Sequence, residues 1–539
     1  MARVNAGSAS QAHFARLPQT NIRRSKFHRP STYKTTMDSG YLIPFYIDEV
    51  LPGDTFEFTS SIFARLSTPI VPFMDDIWLD TQFFFVPNRL IWEHWEEFNG
   101  AQKNPGDSTD YLVPVVTTPE GGWQTGSLSD YFGLPLRKDI EDVDSLWHRA
   151  YNLIWNEWYR DENLQDSVPV PVGDGPDDPE DFVLLKRGKR KDYFTSSLPW
   201  PQKGPGVELP LGSIAPVMGN GMSLGLTGYN DLNGGLVANS STGVLYSQGA
   251  AYGQPYGASQ ESSVYVAGNI GVTQDSENSG LIADLSSATA ATINSFRMAF
   301  QLQTLFEIDA RGGTRYFEIL EAHFATRSPD SRLQRPEYLG GSSIKLDMLP
   351  VAQQSSTNEV SPQGNLAGYG IFGGAQPKWM KSFVEHGVII GLVSVRTNLT
   401  YQNGIHRMFS RQTRWDFYWP ALAHLGEQAV LNKEIFADGS EADNEVFGYQ
   451  ERWAEYRYGS SLITGKLRSD DPQSLDYWHL SQNFENLPTL SADFIEENPP
   501  LGRVLAVQDE PQIIFDSYRD VYCTRPMPTY SIPGLVTHF

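Results

Sequence analysis

The stretch Ile77-Trp-Leu-Asp-Thr-Gln-Phe-Phe-Phe-Val86 carries Trp78, Phe83, Phe84 and Phe85 and is stopped by Pro87. Aromatic and branched residues in so short a run read as a strongly buried β-strand, and proline ends it because it cannot donate to a ladder. Upstream, Tyr41 to Ile47 and Thr55 to Leu66 read as two further strands around the turn signal Leu51-Pro-Gly-Asp. Downstream, Gly387 to Tyr401 and Gln512 to Arg525 have the β-branched and aromatic content of strands, the second stopped by Pro526. With 47 Gly and 35 Pro in 539 residues, the chain favours many turns and shaped loops over a helical bundle.

Helices interrupt this β pattern. From Asp144 to Arg160, the residues Trp147, Ala150, Tyr151, Ile154 and Trp158 recur at three- and four-residue spacing, with Asp144 or Ser145 as N-cap. Such an aromatic stripe reads as core. Thr292 to Ala310 reads as a second helix ending at Gly312-Gly313, and Thr314 to Phe324 as a third. Between Gly204 and Phe296 there is no Lys or Arg, and sixteen glycines fall between Gly204 and Gly280. That composition cannot supply a dense core and reads as an elaborated surface insertion. Disorder is the alternative reading of so glycine-rich a piece, against which its scattered Tyr229, Tyr246, Tyr252, Tyr256 and Tyr265 argue for some ordered packing or a contact surface.

The single cysteine, Cys523, excludes an intrachain disulfide and any multi-cysteine metal site. No stretch approaches the roughly 20 apolar residues of a membrane span, and the N-terminus lacks a secretory h-region. The enzymatic motifs fail on context. Gly221-Met-Ser223-Leu-Gly225 lacks the strand and helix a nucleophile elbow needs, Gly368-Tyr-Gly370-Ile-Phe-Gly373 has no βαβ unit and reads as a turn, and Ser342 to Lys345 lacks its companion motifs. The ten histidines form no zinc constellation. The acidic loop Gly173 to Asp181 reads as solvated, with a bound cation as the alternative. The reading is of a protein that is not an enzyme and has no cofactor or metal site.

Charge divides the chain. Met1 to Met37 holds Arg3, Arg16, Arg23, Arg24, Lys26, Arg29 and Lys34 and no acid, so removing this +7 from a net −23 leaves −30 on the rest. A basic arm on an acidic body reads either as a solvated terminus or as a segment that meets phosphate. The densest basic run, Lys186, Arg187, Lys189, Arg190 and Lys191, is a weaker candidate for phosphate, with a solvated turn or an acidic neighbour as the other readings.

Ala150-Tyr-Asn-Leu-Ile-Trp-Asn-Glu-Trp158, Asp192-Tyr-Phe-Thr-Ser-Ser-Leu-Pro-Trp-Pro-Gln-Lys-Gly204, Arg311-Gly-Gly-Thr-Arg-Tyr-Phe-Glu-Ile-Leu320, Ser328-Pro-Asp-Ser-Arg-Leu-Gln-Arg-Pro-Glu-Tyr-Leu-Gly340 and Arg525-Pro-Met-Pro occur in order across most of the chain. Together they resemble the major capsid proteins of gokushoviruses, small single-stranded DNA phages of the Microviridae. The resemblance implies a mainly β chain built on an eight-stranded antiparallel jelly roll with long helix-containing loop insertions. It implies sixty copies in a T=1 icosahedral shell around a circular single-stranded DNA genome, with a protrusion at each threefold axis serving host attachment. On this reading residues 1–40 are the basic arm, 41–203 the first part of the jelly roll, 204–290 the protruding insertion, and 291–539 the remaining strands and C-terminal contacts. The implied partners are further copies, the DNA, a small basic packaging protein, an internal scaffolding protein, a DNA pilot protein and a host receptor, in a virion assembled in the bacterial cytoplasm. Sixty arms would carry about 420 positive charges, at most about a quarter of the phosphates on the roughly 1,617 nucleotides needed just to encode the chain. The rival class is a carbohydrate-active β-sandwich, which needs a paired-carboxylate cleft that the sequence does not identify.

Overall fold

Burial alternates strictly along Thr55–Leu66 but is almost continuous along Ile77–Pro87, and that contrast lays out the architecture of the computed structural model. The structure describes residues 23–207 and 293–530, except 358, 360, 375 and 376, together with the backbone of six short strands between 217 and 283. The chain divides into two compact units, one formed by Met1–Lys203 with Ile308–Phe539 and the other by Gly204–Glu307.

The principal strands of the larger unit are numbered here in chain order. They are β1 (Ser25–His28), β2 (Ser31–Met37), β3 (Ile43–Val50), β4 (Thr55–Leu66), β5 (Ile77–Pro87), β6 (Glu337–Lys345), β7 (Asp347–Ala352), β8 (Leu366–Gly373), β9 (Lys378–Ser382), β10 (Gly387–Thr397), β11 (Glu427–Leu431), β12 (Val446–Glu451) and β13 (Ile513–Arg525). One sheet has the order β1-β13-β4-β8-β7, with β2 also on β13 and β9 also on β4, and a second has the order β6-β5-β10-β3. The pairings are antiparallel. Along the chain β2, β3, β4 and β5 fall alternately in the two sheets, so consecutive strands face each other across a core instead of lying side by side.

That core takes Phe56, Phe58 and Ile62 from β4, Phe83 and Phe85 from β5, Ile389 and Val393 from β10, and Phe515 from β13. Trp379 of β9 stacks on Phe58 with centroids 5.5 Å apart. The other faces of β5 and β10 present Phe84, Val86, Ile390 and Leu392 to Ala150, Tyr151, Ile154 and Trp155 of helix α1 (Leu146–Trp158). A central strand covered on both faces has no need of polar alternation, which is why the sequence of β5 reads as a continuous apolar run. Helix α1 starts where Asp144 Oδ1 accepts from the Leu146 amide at 2.8 Å. Helices α2 (Ile293–Arg311) and α3 (Tyr316–Phe324) also occupy expected positions. Two long connections, 88–336 and 398–512, join β5 to β6 and β10 to β13, and the second packs its own small core of Val430, Ile435, Phe447, Phe494 and Ile495 with Phe194.

In the second unit, Leu226–Gly228 pairs with Gly235–Ala238 and Ile270–Val272, Leu245–Ser247 extends that sheet, and Val217–Gly219 pairs with Leu281–Ala283. Ser223 and Tyr229, Tyr252, Tyr256 and Tyr265 lie outside the described residues, as does the Tyr246 side chain.

Two sequence expectations are corrected. Gly368 to Gly373 is not a turn but part of β8, paired with β7 and β4. Its glycines answer close packing, since a Cβ on Gly368 would sit 2.9 Å from Pro72 and one on Gly370 3.0 Å from Leu346. Nor is the loop Gly173 to Asp181 simply solvated: Asp177 is buried and takes both Nε and an Nη of Arg149 at 2.6 and 2.7 Å, while Asp174 accepts from Trp92 Nε1 at 2.8 Å. Among the described residues no group of acids, histidines and cysteines is placed to hold a metal.

Candidate nucleic-acid and assembly surfaces

The basic arm enters the structure at Arg23, which is exposed, and by Ser25 it is a strand on the edge of the first sheet. Three of its cations are matched to carboxylates. Lys26 reaches Glu57 at 2.9 Å, Arg29 reaches Asp48 at 2.8 Å, and Lys34 pairs with Asp516. Arg24 is held by the Gly53 and Thr524 carbonyls and by Thr55 Oγ1. His28 lies 2.5 Å from Asp520 and stacks on Tyr522 with centroids 4.4 Å apart. Register explains the grouping, because Lys26 and His28 face Thr524 and Tyr522 across the β1-β13 ladder, and Lys34 faces Asp516 across β2-β13. The segment 23–37 is therefore an ordered part of the sheet and not a free tail. Arg3 and Arg16 lie outside the described residues.

The run from Lys186 to Lys191 is drawn inward. Its backbone bridges Gly40 and Glu497 through Arg187, which makes it a strut between the turn before β3 and the 494–497 segment. Arg187 donates to Asp80 at 3.0 Å and to Ser394 at 2.6 Å, and Lys189 donates to the Phe494 carbonyl at 2.6 Å and to Gln482 at 3.1 Å. Burial lowers Lys189 to about 8. Arg190 donates to Asn398 and lies over the Trp78 ring, Lys191 meets Asp161 at 2.5 Å, and Lys186 is 3.9 Å from Glu496. A solvated turn does not describe these residues, because both Arg187 and Lys189 are buried.

A cleft of about 390 Å³ in the 398–512 region is lined by Tyr193, Tyr401, Arg407, Glu434 and Glu455 among others. It is one of the clefts with carboxylates in its lining. Glu434 is held by Arg407 at 2.9 Å, Glu455 by Arg411 at 3.2 Å, and Asp192 accepts from the Phe194 and Thr195 amides, so the arrangement braces the loops. Burial raises the Glu434 carboxyl above the usual carboxylate range.

Sequence reasoning missed a run of exposed aromatic side chains in this unit. Phe409 is 75% exposed and Trp415 57%, with Phe417, Tyr418, Trp419 and Tyr456 nearby also largely uncovered. Arginines lie among them in two groups, Arg414 over Trp415 and Trp419 and Arg411 over Phe417 and Tyr456. The available signal was the aromatic density of Phe409-Ser-Arg-Gln-Thr-Arg-Trp-Asp-Phe-Tyr-Trp419, which has no strand or helix period to bury it.

Two principal antiparallel sheets, long packed loops and exposed aromatic side chains around Trp415 are features that a structural assembly subunit uses. Comparison with known proteins places it: residues 15–535 match the family described as capsid protein (F protein), and the chain belongs to that family. It is 48% identical over 543 residues to capsid protein VP1 of Bdellovibrio phage phiMH2K, covering 99% of each chain. It is 43% identical to capsid protein VP1 of Chlamydia phage 1 and 37% identical to that of Spiroplasma virus 4, with coverage of 98% and 97% of each chain. The chain is thus a bacteriophage capsid protein of the Microviridae, as the sequence resemblance implied. No helix among the described residues is long and apolar enough to cross a membrane.

Proposed function

We propose that this protein closes into a T=1 icosahedral shell of sixty copies around a single-stranded DNA genome, on a jelly-roll core. The end-to-end similarity to three proteins named capsid protein VP1 carries this reading. Strand order supports the jelly roll: β2-β13-β4 with β8 and β9 as one interrupted strand oppose β3-β10-β5-β6, which makes eight strands in two antiparallel sheets. The aromatic surface around Trp415 is then a contact with a second copy, since the strongly acidic chain offers complementary charge to the exposed Arg414 at its rim. Closed shells of this kind require contacts totalling more than the standard ~1,600 Å² per interface. The Gly204–Glu307 unit, which holds the tyrosine-bearing insertion 204–290, forms the surface protrusion that meets the host.

The arm contributes less to genome neutralisation than its formal charge suggests, because Lys26, Arg29 and Lys34 already face carboxylates. A small basic packaging protein is the main counter-charge, with scaffolding and pilot proteins as further partners in assembly in the host cytoplasm. Electron microscopy of the purified protein tests the central claim: uniform closed particles are expected, and a monodisperse monomer under every assembly condition would overturn it.

A further inference from the structure

A cavity of about 520 Å³ lies where the end of α1, the 187–198 segment and the start of α3 meet. Eight cationic side chains line it against three carboxylates. Lys191 is matched by Asp161, Arg315 by Glu162 at 2.8 Å, and Arg311 by Glu427. The eighth, Lys189, donates to the Phe494 carbonyl at 2.6 Å and shares the field of the buried Glu497 with Arg187 and Arg396, and the four remaining arginines have fewer carboxylates in ion-pair reach than charges. Arg187 and Arg396 share the single carboxylate of Asp80, at 3.0 and 2.6 Å. Arg190 has the neutral amide of Asn398 at 3.0 Å and the face of the Trp78 ring, neither of them a carboxylate. Arg160 reaches Glu162 at 3.7 Å, an acid that Arg315 already holds.

The Nε atoms of Arg160, Arg187 and Arg190 are buried without a hydrogen-bond partner, and Arg187 is only 7% exposed. Burial, then the neighbouring charge of Arg187, brings the Arg396 guanidinium down to about 10. Guanidinium groups gathered out of water at this density repel one another unless an anion joins them.

We propose that this cavity is a binding site for a phosphate-class oxyanion, held by Arg160, Arg187, Arg190 and Arg396. The planar guanidinium fork matches tetrahedral oxyanions through paired charged hydrogen bonds. The volume accommodates either free inorganic phosphate or one phosphodiester of a DNA strand, and the site does not depend on the shell reading.

The test uses the purified full chain at low salt, with calorimetric titration and thermal melting against sodium phosphate, sodium chloride at equal ionic strength, and a short oligothymidylate. Saturable binding of phosphate but not chloride is expected, weakened about tenfold or more in Arg190→Gln/Arg396→Gln and unchanged in Lys378→Gln, an exposed cation outside the cavity. Binding of oligothymidylate alone, with the same sensitivity, assigns the site to backbone phosphate. No saturable binding of either, or binding indifferent to the double substitution, overturns the proposal. Should near-ultraviolet circular dichroism show the double variant unfolded, Arg190→Gln alone serves, since its neutral partner leaves no carboxylate stranded. Particle formation is scored separately by microscopy, so failure of the shell and failure of this site are distinguishable.

Discussion

Single residues in the interior carry unusual electrostatic stakes. Arg149 and Asp177 form a paired contact with side chains 0% and 2% exposed, and Arg149 also donates to the Ile91 carbonyl at 2.9 Å. Breaking one partner strands a buried charge, so Asp177→Asn is expected to destabilise the larger unit by about 3–5 kcal/mol. A fall in melting temperature, with little change for an exposed control such as Glu120→Gln, would check it. His148 sits among Trp123, Phe132 and Phe182 and contacts Ser129 Oγ at 2.9 Å. Burial lowers it to about 4 from 6.5. The unfolded chain therefore binds this proton more readily than the folded one, and stability is full above about pH 6.5 and lost as pH falls toward 4, by up to about 3 kcal/mol. Melting curves at pH 7 and pH 5 should differ less in His148→Phe than in the parent.

At the level of elements, the two central strands are constrained by backbone approach as much as by apolar content. A Cβ on Gly391 of β10 would come within 2.7 Å of the Phe83 ring and 3.0 Å of Tyr46 Cβ. Gly391→Val should therefore displace aromatic side chains from the inter-sheet core and cost about 1–3 kcal/mol or more, read as lost soluble yield and a lower melting point. The arm strands behave differently from a solvated tail. Replacing Arg23, Arg24, Lys26 and Arg29 together by Ala removes the Asp48 and Glu57 pairs as well as any DNA contact. It should thus loosen the β1-β13 edge, whereas Arg23→Ala alone should leave melting unchanged.

For the whole molecule, uncovered aromatic surface is the feature that monomers avoid and assemblies use. Trp415→Ala with Phe409→Ala should preserve the melting profile of the isolated chain while reducing the yield of closed particles severalfold by sedimentation. Particles at parental yield would instead place this surface on the outside, where adsorption to host cells is the measurement.

Five strands could be located from the sequence because their apolar content is local and strong: Thr55 to Leu66 alternates, and Ile77 to Val86 runs on. The stripe of α1 was legible for the same reason, as was family membership from ordered local motifs. What the sequence could not assign was the partner of each charge. Lys26 and Glu57 are near in number, but Lys34 and Asp516, or Arg187 and Asp80, meet only because sheet order brings distant segments together. The basic arm and the basic run thus read as phosphate seekers when viewed alone, and tertiary pairing turned most of their cations toward carboxylates and carbonyls. Of the four arginines at the cavity, Arg187 and Arg190 stood out in the sequence as part of the basic run, but Arg160 and Arg396 did not, because they come from two other stretches of chain that only folding brings to the same cavity. Periodicity is written in neighbouring residues and survives in one dimension, whereas electrostatic compensation depends on distance through space, which the two sheets and their long connections decide.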